Sequence, residues 1–150
     1  MHSPDPSQPA ADCEFCRIVR GEERALIVCE SADCLAFFPT EPATRGHTLV
    51  IPREHVSDLW LVPERLETSL MRMVVRVGRA LQKALQPEGM NLISSAGEAA
   101  SQSIFHLHLH LVPRWKGDRI GEIWPPKKPW SETVKEDMAD LVRTACERES

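Results

Sequence analysis

Three of the six histidines in this chain stand at alternate positions, His106, His108 and His110, within the stretch FHLHLHLVPRW that runs from Phe105 to Trp115. A neutral imidazole carries one N–H and one lone pair and changes charge near neutral pH, so such a row suits a metal, a proton relay or nucleophilic attack. Phosphorus is a favourable electrophile for it, because the lone pair attacks without prior loss of a proton and the P–N bond formed is one that water can cleave. Two other groups carry chemistry. Cys13 and Cys16 form a C-x-x-C pair, either half of a metal site or a redox pair. The segment SAGEAASQS, Ser95 to Ser103, is made of small and polar residues that let backbone N–H groups approach a ligand, and its SQS end offers hydroxyl and amide donors to phosphoryl oxygens.

The alternation itself names the element that positions the row. On a β-strand the imidazoles point to one face while Leu107, Leu109 and Leu111 point to the other, towards a core. Three same-face residues on one strand spread over roughly 13 Å, so all three do not readily share one tetrahedral ion. A division of labour fits better: Cys13, Cys16, His55 and one histidine of the row as a structural Cys2His2 zinc site, with the other histidines left for chemistry. His110 would donate to the phosphate or to the leaving group. Redox chemistry at the cysteines, or plain packing of them, stays open at this point.

The other elements follow from pattern. Residues 1–11, with three prolines, read as a disordered tail. CEFCRIVRG reads as a short helix stopped by Gly21, and ALIVCE, CLAFF and HTLVIP as three strands beginning at Ala25, Cys34 and His47. The long helix starts near Pro63, ends before Pro87, and buries Leu66, Leu70, Met73, Val74, Val77, Leu81 and Leu85. MNLISS from Met90 is a fourth strand and the histidine stretch the fifth. A last helix from about Thr133, with a capping box of Thr133 and Glu136, turns Val134, Met138, Leu141, Val142 and Ala145 to one face. Cys29, Cys34 and Cys146 are expected to be small buried or half-buried hydrophobes, and Trp115, Trp124 and Trp130 to pack. The sum is an α+β domain over 12–150, a mostly antiparallel five-stranded sheet with one long and two shorter helices, and a C-terminal extension and helix from about residue 116.

A length of 150 residues fits one core, and a formal net charge of -4 argues against a general binder of nucleic-acid polymers. No stretch reaches the roughly 18 apolar residues of a membrane span, and the N-terminal residues contain no signal-like apolar run; the expectation is a cytoplasmic protein.

HLHLHLV, with CEFCRIVRGE, AFF, GHTLVIPREH, GMN, SQSIFHLHLHLVPRW and GDRIGEIW in order around it, resembles the histidine triad (HIT) family of nucleotide hydrolases and transferases. The resemblance spans about Asp12 to Trp124. It implies a two-layer α+β fold, a homodimer that joins two sheets into one, and hydrolysis at the α-phosphorus of a purine nucleotide or nucleotide conjugate, of the phosphoramidase or dinucleoside polyphosphate hydrolase type, with no organic cofactor. By the same resemblance His108 is the nucleophile, His110 the phosphate and leaving-group contact, and His47 part of a supporting histidine network. Cys13, Cys16, His55 and His106 match zinc ligands, His106 also bracing the nucleophile's strand. Gln102 and Ser103 match loop residues that touch phosphate. Ser95 and Ser101, counted with them as substrate-binding, replace an asparagine and a glycine, and Pro39 replaces an acidic ribose contact, for which Glu41 is the nearest substitute. These departures motivate two alternatives, a nucleotide-binding sensor with little turnover and a nucleotidyl transferase to phosphate.

Overall fold

The computed structural model describes residues 12–149; the disordered tail expected over residues 1–11 lies outside them. The elements are α1 (Glu14–Val19), β1 (Leu26–Glu30), β2 (Cys34–Phe38), β3 (Thr48–Pro52), α2 (Glu64–Leu85), β4 (Gly89–Ser94), β5 (Leu109–Arg114) and α3 (Glu132–Arg148). The five strands form one sheet in the order β1-β2-β3-β5-β4, antiparallel throughout. The described chain falls into two compact units, one ending at Arg119 and one beginning at Ile120.

In the first unit the middle of the sheet, β2 and β3, is buried on both faces. On β2, Cys34 and Ala36 join α2's Leu70, Met73, Val74, Val77 and Leu81, while Leu35 and Phe37 join α1's Phe15, Cys16 and Ile18. On β3, Val50 goes to the α2 side and Leu49 and Ile51 to the α1 side. Period two along the strand sorts each residue to one layer or the other, and the three-and-four spacing of α2 supplies one matching apolar stripe. Leu107, Leu109 and Leu111 take their expected place in the α2 layer.

Three expectations need correction. The fifth strand starts at Leu109, so His106 and His108 precede the ladder. The backbone groups that would extend it are engaged by imidazoles instead: the His106 ring bonds the Pro52 carbonyl at 2.8 Å and the His108 ring bonds the His106 carbonyl at 2.7 Å. In the second unit α3 is capped by Ser131, whose hydroxyl accepts from the Val134 N–H, two residues ahead of the expected Thr133 box. Its apolar residues Val134, Met138, Leu141 and Val142 are exposed, as are Cys146, Trp124 and Trp130; Trp115, in the first unit, is half-buried. Periodicity reports a face that would be buried if covered, but not a cover. No helix among the described residues is long and apolar enough to cross a membrane.

Candidate active site and metal centre

Helix α1 presents Cys13 and Cys16 to the same side of the sheet as the histidine row. The Nδ1 of His106 lies 3.5 Å from each of the two sulfurs, and the Nδ1 of His55, in the loop after β3, lies 3.3 Å from that of Cys16. One ligand atom from each of Cys13, Cys16, His55 and His106 falls within 4.8 Å of all the others, so this group could hold a metal ion. The His106 tautomer is fixed by its other nitrogen: a carbonyl can only accept, so Nε2 donates to Pro52 and Nδ1 is left bare towards the thiols. Burial and the neighbouring Cys13 push the Cys16 thiol up to about 11, and burial drops His106 to about 4. Without a cation the Cys16 thiol and the His106 imidazole are therefore neutral at pH 7, and with the Cys13 sulfur and the His55 ring they make a soft S2N2 donor set matching tetrahedral Zn2+.

His108 and His110 continue the row away from the metal ligands, their ring centroids 4.9 Å apart. His108 is 8% exposed and its Nδ1–H donates to the His106 carbonyl, which leaves Nε2 with a lone pair. His110 sits in β5 opposite Leu49 of β3 and Ile93 of β4, and its Nδ1 is 2.9 Å from Nε2 of His47. Burial pushes His47, His108 and His110 below the ordinary histidine value, His110 to about 4, with mutual repulsion among the rings adding to it at His47 and His110. The consequence for stability has a definite sign. His110 titrates near 6.5 when unfolded and about 4 when folded, so its contribution is present above pH 6.5 and is lost as pH falls towards 4. Thermal unfolding followed from pH 7 to pH 4.5 should show a shallower loss of stability for His110→Asn than for the parent; equal slopes would contradict the assignment.

The 95–103 loop is held from within. Gln102 is 4% exposed; its Oε1 accepts from the Gly97 N–H and its Nε2 donates to the Ser57 and Ile104 carbonyls, so its side chain closes the loop. Ser101, exposed, adopts a left-handed conformation (φ 69°), which glycine adopts at less cost. Ser95 is half-buried just beyond β4, and Ser103 is exposed on the wall of a cavity of about 700 Å3. Phe15, Ile18, Phe37, Leu49 and Ile104 form the apolar part of that cavity, with Glu14, Glu23, Arg24, Pro39 and Glu41 around it. Phe15 joins the cavity to the histidines, its ring edge-on to His108 at 5.2 Å. Sequence reasoning placed Phe15 within the short helix CEFCRIVRG and gave it no part in the site; its place between the two cysteines of the C-x-x-C was the available signal. It also missed the Pro52 carbonyl and the Ala43 N–H, main-chain groups that no residue type announces.

A sequence model of the HIT domain matches residues 20–117. The protein hit of Bacillus subtilis is 34% identical over 140 residues, covering 93% of this chain and 95% of that protein. Adenylylsulfatase HINT3 of Arabidopsis thaliana is 33% identical over 137 residues, covering 91% of this chain and 68% of that protein. Among solved structures, a zinc-bound histidine triad family protein from Mycobacterium smegmatis is 37% identical with a TM-score of 0.69, covering 79% of this chain and 86% of that one.

Proposed function

This chain belongs to the HIT-domain family, and from that premise we propose that it hydrolyses nucleotide conjugates at the α-phosphorus through a covalent nucleotidyl intermediate on His108. The carrying observation is the pair of tautomers: a buried, neutral His108 with a lone pair on Nε2, beside a His110 whose Nδ1 is engaged. In the first step Nε2 forms a bond to phosphorus and the bond to the leaving group breaks, its electron pair departing with that group. In the second, water attacks phosphorus, the P–N bond breaks, its pair returns to Nε2, and a proton passes to solvent. His110 touches the phosphoryl oxygens, His47 positions His110, and His106 is a positioning residue whose carbonyl orients the nucleophile. Ser103 reaches the phosphate from the cavity wall, where Ser95 and Ser101 shape the loop and Gln102 locks it. The nucleoside occupies the 700 Å3 cavity, a volume suited to such a ligand, with Glu41 near enough to stand in for the acidic residue absent at Pro39. The adenylylsulfatase relative supports a conjugate whose leaving group is an anion, as sulfate is, on an adenylyl group. Intact mass spectrometry of protein quenched seconds after mixing with an adenosine phosphoramidate tests this reading. A transient gain of one nucleoside monophosphate is expected; nucleotide binding with neither adduct nor product would make the protein a nucleotide-binding module instead, and product nucleoside diphosphate on adding phosphate would make it a transferase.

The metal we assign to Cys13, Cys16, His55 and His106 is zinc, in a structural role: it ties α1 to the sheet and supplies no step of the reaction. The zinc-bound relative supports this, and two thiols kept as metal ligands suit the reducing cytoplasm.

The protein is further assigned as a homodimer with a continued sheet. β4 is an edge strand with Leu92 exposed, and Leu92 and Met71 of α2 line one depression. Glu67, Met71, Val75 and Arg79 lie along one exposed side of α2, and neither Glu67 nor Arg79 has a recorded ion pair among the described residues. A twofold axis at the level of Met73 would set Met71 against Val75 of the second copy and Glu67 against Arg79 of the second copy, an arrangement that is its own complement. Sedimentation should therefore show Glu67→Arg weakening self-association about tenfold or more, and Glu67→Arg with Arg79→Glu restoring it. A double variant as weak as the single one would rule out this register.

A further inference from the structure

We propose that the backbone N–H of Ala43 sets the tautomers of His47 and His110, so that His110 meets the phosphoryl group with an N–H and not with a lone pair. The inference rests on the reading of His110 as the phosphate contact and assigns the direction of its hydrogen bond. Ala43 lies in the loop between β2 and β3, and its N–H is 3.0 Å from Nδ1 of His47. A main-chain N–H only donates, so His47 must accept at Nδ1; its ring proton is then on Nε2. That nitrogen is 2.9 Å from Nδ1 of His110, which must accept in turn, and the His110 proton is forced to Nε2, the nitrogen left for a ligand. Two rings in one row thus carry opposite tautomers for separate reasons: the His106 carbonyl draws the His108 proton to Nδ1, and the Ala43 N–H sends the His110 proton to Nε2.

The loop is shaped to hold this contact. The His47 N–H bonds back to the Thr44 carbonyl at 3.1 Å, closing a tight turn, and Gly46 occupies the left-handed φ of 83° that the turn requires. His47 itself is 8% exposed, and water has little access with which to replace Ala43 as the donor. If His47 carried its proton on Nδ1, that N–H would point at the Ala43 N–H, and His110 would face the substrate with a lone pair against anionic oxygens. Ala43 is therefore a positioning residue acting through its main chain, which is why no side-chain type marks it.

Long-range proton–nitrogen correlation spectra of the histidine rings in the free, metal-loaded protein at neutral pH test the assignment without turnover. Both His47 and His110 are expected with the proton on Nε2, and His108 with the proton on Nδ1. Ala43→Pro removes the N–H; it should shift His47 and His110 to a mixture of tautomers and lower kcat about tenfold or more with little change in the melting temperature, while Pro42→Ala, in the same loop, should do neither. A wild-type spectrum with the His110 proton on Nδ1 overturns the proposal, and so does an Ala43→Pro protein with the wild-type tautomers. Should Ala43→Pro fail to fold, the wild-type spectrum decides alone. Absence of a nucleotidyl adduct on His108 would sink the hydrolase reading yet leave these ring spectra as a separate result.

Discussion

His108→Ala is expected to bind nucleotide and to turn it over at no more than about one ten-thousandth of the parent rate, with no adduct detectable by mass spectrometry. The size follows from the site. Of the two rings that continue the row beyond His106, His110 accepts at Nδ1, and His108 is the one whose geometry frees a lone pair at Nε2. Removing it takes away the atom that forms the bond to phosphorus and leaves the phosphate contacts in place, so the loss falls on kcat and not on binding. A structural loss is separable. His108 is buried and its N–H satisfies the His106 carbonyl, so alanine leaves a gap and an unpaired acceptor that cost about 1–3 kcal/mol. His108→Asn, which retains a short polar side chain, should fold closer to the parent and be equally inactive. His110→Asn, by contrast, should slow turnover while an adduct still forms. Retained full rate in His108→Ala would end the covalent mechanism.

The difference between the rings explains how much of the site could be read before the fold was known. The alternation of His106, His108 and His110 with three leucines placed both faces correctly, because side-chain direction has period two in any extended segment, paired or not. It misplaced the start of β5 by four residues because alternation carries no information on which groups take the backbone hydrogen bonds. The same limit hid Ala43 and Pro52. The C-x-x-C pair was legible as half of a metal site, since two thiols three residues apart on one short helix must face the same way. His55 could be joined to it from the residues alone, but which histidine of the row completes the set needed the family pattern, because 90 residues separate His106 from Cys16. Gln102 was legible as a loop residue, yet its bonds to Gly97 in the loop, to Ile104 just after it and to Ser57 in another segment depend on how the chain folds back. The stripe on α3 and the tryptophans at 124 and 130 show the opposite failure: apolar pattern is local, whereas burial needs a second surface.

Loss of the metal should be the largest perturbation to stability. Cys16→Ala, or chelation of the parent protein, is expected to lower unfolding free energy by at least about 3 kcal/mol, roughly 10 °C in melting temperature for a chain of this size. The four donors come from α1 and the residue that caps it, the loop after β3 and the segment before β5, so they join three parts of the chain that are distant in sequence. Emptied of a cation, the site keeps the buried Cys16 thiol protonated, pushed up to about 11, with two imidazole nitrogens turned towards the sulfurs. A divalent ion reverses that balance and displaces the Cys16 proton, so its affinity should rise by at least about tenfold per pH unit below the Cys16 value and fall correspondingly in acid. The effect reaches catalysis through one bond. The His106 ring is held between the cysteines and Pro52, and its carbonyl orients His108; release of the ring loosens the nucleophile, lowering kcat in Cys16→Ala while the His108 adduct still forms. Metal content per protomer, melting temperature with and without chelator, and proton release on adding zinc measure the three parts. A parent protein that takes up no zinc and unfolds at the same temperature in chelator would leave the cluster as packing alone.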